Sequence, residues 1–270
     1  MRDFTLKSYH SLLVAFQQAG YQFQTFEEMM TRPADEKLVV VRHDVDEKAW
    51  NALKMAQLEK TLGIRATYFF RIVKQSNVPE VIRQIVNLGH EVGYHYEDLA
   101  SAEGDDALAI KSFEEHLNYF RGYYPVKSVC MHGSSTSKYD NRLMWEKHAL
   151  SDFGLVGEPY LSVDFDKIFY LTDTGYAWDG GKFSVRDIVE SDFGLKFHTT
   201  QQIVECINKE EFPEKVMILA HTLWTDSLVQ WYWLHMREFF RNNLKLMAKN
   251  NRFVAKFYRK IVNFYWKTAE

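Results

Sequence analysis

Apolar residues in this chain fall into short β-branched or aromatic runs separated by longer amphipathic stretches. Leu38–Val41 is a continuous apolar run and reads as a strand. Residues 47–62 follow with helical spacing at Trp50, Leu53 and Ala56, closed by Gly63 as a C-cap. The pattern then repeats. "ATYFFRI" (66–72) predicts a second strand, and residues 79–88 a helix ending at Gly89. "HEVGYHY" predicts a third strand and residues 106–120 a third helix. "VKSVCMHG" (126–133), "KIFYLTD" (167–173) and "KVMILAHT" (215–222) predict later strands, with a weaker one near 195–199. A short helix is expected near 140–150, and 157–190 has the character of a loop at a rim. Strands alternating with helices imply βαβ units and a parallel sheet. So many units in one chain favour a closed or nearly closed (β/α) barrel over an open doubly wound sheet.

Both ends of the chain read as helical. Residues 1–21 carry a short apolar core, SLLVAF, without a small-residue cleavage site, and predict an amphipathic helix rather than a signal peptide. The expected division is a barrel with its N-terminal helix over 1–225 and a helical extension over 226–270. In the extension Phe253, Phe257, Ile261 and Phe264 share a face. From position 237 onward there are nine Lys or Arg and two Glu. Such an element either docks on the barrel with a solvated basic face or makes peripheral contact with an anionic membrane.

Composition narrows the class. With 46% hydrophobic residues and only 5 Pro, the chain can bury a core and is not a disordered segment. A net charge of −3 offers no footprint for nucleic acid. Cys130 and Cys206 make no disulfide framework and suit a reducing compartment. No apolar run reaches the roughly 18 residues of a membrane span. The expected location is cytoplasmic, with the inner membrane as a peripheral option.

Ionisable groups gather where the strands end. Asp44 and Asp46 close the first predicted strand, and His95, His132, Asp173 and His221 sit at the ends of later ones. In a parallel barrel those carboxyl ends converge on one mouth. Buried carboxylates and imidazoles cost several kcal/mol unless paired or bound to metal. Asp44 and Asp46, two apart, point to one face, as does Arg42, which can pair with Asp44; His43 points the other way and takes a structural role. Two acids so close call for a cation beside them.

These motifs, in this order, resemble the polysaccharide deacetylase (NodB-homology, carbohydrate esterase family 4-like) superfamily over about residues 38–222. "RHDVD" is similar to its first motif, which implies Asp44 as general base and Asp46 as metal ligand. "GHEVGYHYE" implies His95 as ligand. "YLTDTGYAW" implies site-lining roles for Asp173 and Trp178. "MILAHTLW" implies Leu219 in an acyl pocket and His221 as general acid. The resemblance also implies a deformed (β/α) barrel of about seven parallel strands and a divalent metal, zinc first, with cobalt, nickel or manganese as alternatives. The substrate implied is an N-acetylated glycan or glycan precursor.

The chain departs from that pattern in two places. The usual second metal histidine is replaced by Leu99, which cannot ligate; His132 is the expected substitute and Glu97 the fallback. The arginine that usually orients the base is absent from "VCMHGSSTS", leaving Arg42, Arg71 or Arg186 for that role. Arg42, Trp178, Leu219 and Trp224 are the expected substrate contacts, with burial in the core as the competing fate of the tryptophans. His90 is expected to bond a loop carbonyl. Asp179 and Asp187 are expected to hold a turn beside Gly180–Gly181. Competing functions are a non-catalytic glycan-binding or assembly subunit, and an amidohydrolase of a small non-sugar amide.

Overall fold

The computed structural model describes residues 2–34, 36–133, 137–179, 188–190 and 193–250, with positions 254, 258 and 260 beyond them. Its strands are β1 (Gln22–Gln24), β2 (Leu38–Val45), β3 (Thr67–Phe70), β4 (Glu91–Tyr96), β5 (Val129–Met131), β6 (Phe169–Thr172) and β7 (Lys215–Leu219). Its helices are α1 (Leu6–Gln18), α2 (Phe26–Thr31), α3 (Ala49–Thr61), α4 (Pro79–Asn87), α5 (Asp98–Ser101), α6 (Asp106–Arg121), α7 (Pro159–Ser162), α8 (Thr200–Asn208) and α9 (Leu228–Asn250).

The strands pair in the order β5-β4-β3-β2-β7-β6, with β1 beside the amino half of β2, and every pairing is parallel. The sheet curls into a half-barrel. Arg42 on the central β2 reaches Cys130 on one terminal strand at 2.9 Å and Tyr170 on the other at 3.0 Å, a span no flat sheet permits. Among the described residues no ladder joins β5 to β6, so the barrel stays open there; this is the deformed (β/α) barrel that the resemblance implied, less closed than the alternation alone suggested.

Alternation along the strands builds two cores. Outward residues such as Val39, Val41, Tyr68, Val92, Val129 and Ile218 pack under the helices. Inward residues, Leu38, Val40, Phe69, Cys130 and Met217, form a smaller core that Phe26 and Met29 of α2 plug from the amino end. Gly93 is required inside. A Cβ there would stand 2.4 Å from the Phe69 ring and 2.8 Å from the Ser128 carbonyl oxygen. At the carboxyl end of β2, Lys48 takes a left-handed φ of 58°, turning the chain into α3 directly after the acid pair.

Three expectations change. Residues 195–199 form no strand; they are an irregular approach to α8, where Thr199 closes a capping box with Gln202. The segment near 140–150 makes two 3₁₀ turns, Asn141–Glu146 and Leu150–Phe153, not an α-helix. β1 was not anticipated, because Gln-Phe-Gln offers a single apolar residue to the pattern. Gly180–Gly181, Arg186, Asp187 and the Phe253, Phe257, Ile261 and Phe264 side chains lie outside the described residues.

Candidate metal centre and active site

Arg42 anchors the site from below. It is fully buried and donates to both Asp44 carboxylate oxygens, at 2.8 and 3.0 Å. Tyr160 and Tyr170 accept from its other terminal nitrogen, at 2.6 and 3.0 Å, and offer their ring faces to it. A guanidinium so deep must be compensated locally, and removing Asp44 would leave it stranded. Arg42 therefore fixes where Asp44 points. Its full burial corrects the substrate contact expected from the sequence.

Above this pair, Asp46 meets two imidazoles. The Nε2 atoms of His95 and His132 lie 3.4 and 3.5 Å from Asp46 Oδ1. That oxygen is shielded from solvent and has no hydrogen-bond partner. The other ring nitrogens are committed. His95 Nδ1 donates to the Cys130 carbonyl at 2.9 Å, and His132 Nδ1 pairs with Glu97 Oε2 at 2.9 Å. Glu97 is itself clamped by Arg71 through contacts of 2.7, 2.8 and 3.0 Å. Metal-ligating histidines commonly give Nδ1–H to a carbonyl or carboxylate in this way and leave Nε2 for the ion. The edge between two donors of a tetrahedral zinc site, with bonds of about 2.0–2.1 Å, is roughly 3.4 Å.

A second grouping competes. Asp44, His95 and Cys130 bring ligating atoms within 4.8 Å of one another, closer together than Asp46, His95 and His132 as a set. Asp44 and Cys130 both already face the Arg42 guanidinium, a fixed positive charge that a cation would have to displace. Asp46 Oδ1 and the two Nε2 atoms form an alternative donor set clear of that guanidinium, but one whose three ligating atoms do not all come within 4.8 Å of one another. Glu97 serves behind His132. Burial opposes ionisation of Glu97, but Arg71 and His132 outweigh it and hold the carboxyl well below its usual range. Burial likewise opposes ionisation of Asp46, and His132 and His95 outweigh it in the same direction. Leu99 is buried beside Asp98 and ligates nothing.

His221 follows β7, with its ring half-buried. Its Nδ1 lies 2.7 Å from Asp173 Oδ1, and its backbone N–H donates to the same carboxylate. Trp224 Nε1 donates to Asp173 Oδ2 at 2.8 Å, so the carboxylate is fixed from both sides. Burial works against a charged imidazole, yet Asp173, then Asp46 and Asp44, push the His221 pKa up to about 10. At neutral pH this ring carries a proton to give.

The tryptophans are structural. Trp224 is fully buried and Trp178 nearly so, both against Phe4, with Trp178 Nε1 donating to Thr200. Neither can stack on a sugar, which corrects that expectation. Leu219 is also fully buried, in register with Arg42 and Thr172 below the mouth. A cavity of about 640 Å³ opens at the other end of β7, lined by Phe193, Phe212 and Lys215, and meets none of these groups. The roles of Glu97, Arg71, Tyr160 and Tyr170 escaped the sequence reading. The sequence offers Glu97 only as a fallback ligand and Arg71 only as a candidate partner of the base, while the alternation of 128, 130 and 132 onto one face could have flagged Cys130. His90 bonds a helix carbonyl, Ala56 O at 3.0 Å, rather than a loop carbonyl. His198 pairs with Asp179 at 2.9 Å on the surface.

No protein-family model and no curated protein matches the chain. Among solved structures it is similar to a CE4 esterase from Streptococcus mutans, at 14% identity over 78% of this chain and 82% of that one, TM-score 0.43. It is similar to a peptidoglycan N-acetylglucosamine deacetylase at 16% identity, over 79% and 85%, TM-score 0.42. A CE4 family pseudoenzyme from Bacillus anthracis matches at 13% identity, over 75% and 62%, TM-score 0.40, so the chain spans less than two-thirds of that protein. The likeness is loose and assigns no chemistry; the half-barrel stands on this chain's own strand register.

Proposed function

We propose that this protein is a metal-dependent hydrolase of a C–N bond, removing the acetyl group from an N-acetylated amino sugar in a glycan or glycan precursor. One observation carries the reading: a solvent-shielded Asp46 oxygen without a hydrogen bond faces the Nε2 atoms of His95 and His132, whose Nδ1 atoms are already committed. The motif order supports an N-acetyl sugar as the class of substrate.

A divalent ion held by Asp46, His95 and His132 would supply Lewis-acid activation of water and of the acyl oxygen. Asp44, aimed by Arg42, accepts the proton of the attacking water. His221, aligned by Asp173, donates its Nε2 proton to the departing amine. Acetate and a free amine leave. Base and acid are thus separate groups, each held by its own charged partner.

Acetate release from N-acetylated oligosaccharides tests the reading. Activity should accompany near-stoichiometric zinc or another divalent ion, and both should be lost in His95→Ala. Full metal loading in the joint variant His95→Ala/His132→Ala would overturn the ligand set. A metal-loaded protein that releases no acetate from any N-acetyl glycan, yet hydrolyses small amides, would overturn the substrate class.

A further inference from the structure

Helix α9 is turned the wrong way round for a helix packed on a globular protein. Such helices bury an apolar stripe and expose polar residues. Here the protein-facing side carries Glu238, at 1% exposure, and Asn242 along with Leu234. Arg237 and Arg241 hold Glu238, and Asn242 donates to the Gly175 carbonyl at 2.8 Å. The outward side carries Val229, Tyr232, Trp233, Met236, Phe239 and Phe240, with Val229 exposed to 82% and Phe239 to 62%. Their spacing puts them on one ridge along the first half of a 23-residue helix. A contiguous aromatic and aliphatic ridge in water needs an apolar partner.

Charge says which partner. From position 237 to the end, nine Lys or Arg stand against two Glu, +7 in a chain of net −3, so the remainder carries −10. Two copies meeting through this ridge would bring two basic stretches together. An anionic lipid surface attracts the basic stretch and repels the acidic remainder, orienting the molecule. Trp and Tyr within the ridge suit the boundary between headgroups and acyl chains. Among the described residues no helix is long and apolar enough to cross a membrane, so the contact lies in the interface.

We infer that the outward face of α9 is a docking surface for an anionic lipid bilayer. The surface adjoins the mouth of the candidate site. Arg237 pairs with Glu47, the neighbour of Asp46, and Lys48 lies 5.5 Å from the centre of the Trp233 ring. Docking sets that mouth beside the lipid headgroups. The inference stands whether or not the proposed hydrolase activity does.

The test uses the full chain with vesicles of equal parts phosphatidylglycerol and phosphatidylcholine, and with phosphatidylcholine alone. The wild type should sediment with the mixed vesicles at low salt, release at high salt and ignore the neutral vesicles. Phe239→Glu/Phe240→Glu should weaken binding by about tenfold or more while the thermal midpoint holds, since both side chains are exposed. Val229→Glu/Met236→Glu, on the same ridge, should do the same and guards against a local folding defect. Failure of the wild type to bind, equal binding by both double variants, or equal binding to neutral vesicles would overturn the inference. So would a dimer in light scattering that either double variant dissolves, since the ridge would then be covered by a second copy.

Discussion

Glu59 and Asp46 are both acids set among histidines, one behind β2 and the other at its carboxyl end. Behind the strand, fully buried Glu59 accepts hydrogen bonds from Tyr9, from Tyr68 at 2.6 Å and from His43 Nε2 at 2.7 Å. His43 Nδ1 meets the Ala220 carbonyl at 2.8 Å, and His90 is used up between Ala66 N and Ala56 O. Each of these polar groups has a partner inside the protein. At the strand's end Asp46 has an oxygen with no hydrogen bond, and the Nε2 atoms of two imidazoles lie 3.4 and 3.5 Å from it. The lesson is that burial and titratable residues alone do not mark a site. A satisfied network stabilises; an unsatisfied one with its outer partners already fixed is built to receive something.

The comparison can be broken by substitutions on either side. Asp44→Asn should lower acetate release by about 10²–10⁴-fold through loss of the base, with zinc content retained by elemental analysis. Retained activity would place Asp44 with the structural group. Glu59→Ala should cost about 3–5 kcal/mol in urea unfolding, because two tyrosines and His43 lose a buried acceptor, while the folded fraction still binds metal stoichiometrically. Burial resists ionisation of Glu59, yet His43 and His90 hold its pKa below 4.5. Its stabilisation is therefore complete above that value and fades as pH falls through the lower folded-state value. Glu59→Gln should remove that acid-side slope.

Smaller effects sharpen the contrast. Glu97→Gln leaves all three proposed ligands in place but loosens His132, and should weaken zinc affinity by about 10–100-fold in competition titration. An unchanged affinity would remove His132 from the ligand set. Asp173 raises the His221 pKa against the effect of burial, so the alkaline limb of the pH–rate profile should lie above 6.5, the ordinary value for histidine. Asp173→Asn should move that limb downward; a limb that stays put means another group is the acid.

Periodicity reveals a face but not a partner. The i, i+2 spacing of Arg42, Asp44 and Asp46 already placed them together and set His43 apart, because side chains alternate across a strand whatever surrounds it. The parallel sheet was legible for the same local reason, as were the strand ends carrying His95, His132 and His221. Gln22–Gln24 was not, since its place in the sheet comes from pairing with Leu38–Val40 rather than from its own residues.

The sequence by itself determined the alternation of strands and helices and the acid pair on one face. Tertiary structure alone decided that Arg42 serves Asp44 rather than substrate, that Glu97 stands behind His132, that Trp178 and Trp224 are core, and that α9 shows its apolar side to the outside. Each of these depends on contacts between segments tens of residues apart. Which long-range partner a side chain meets follows from how the sheet curls, and no local pattern encodes that curvature.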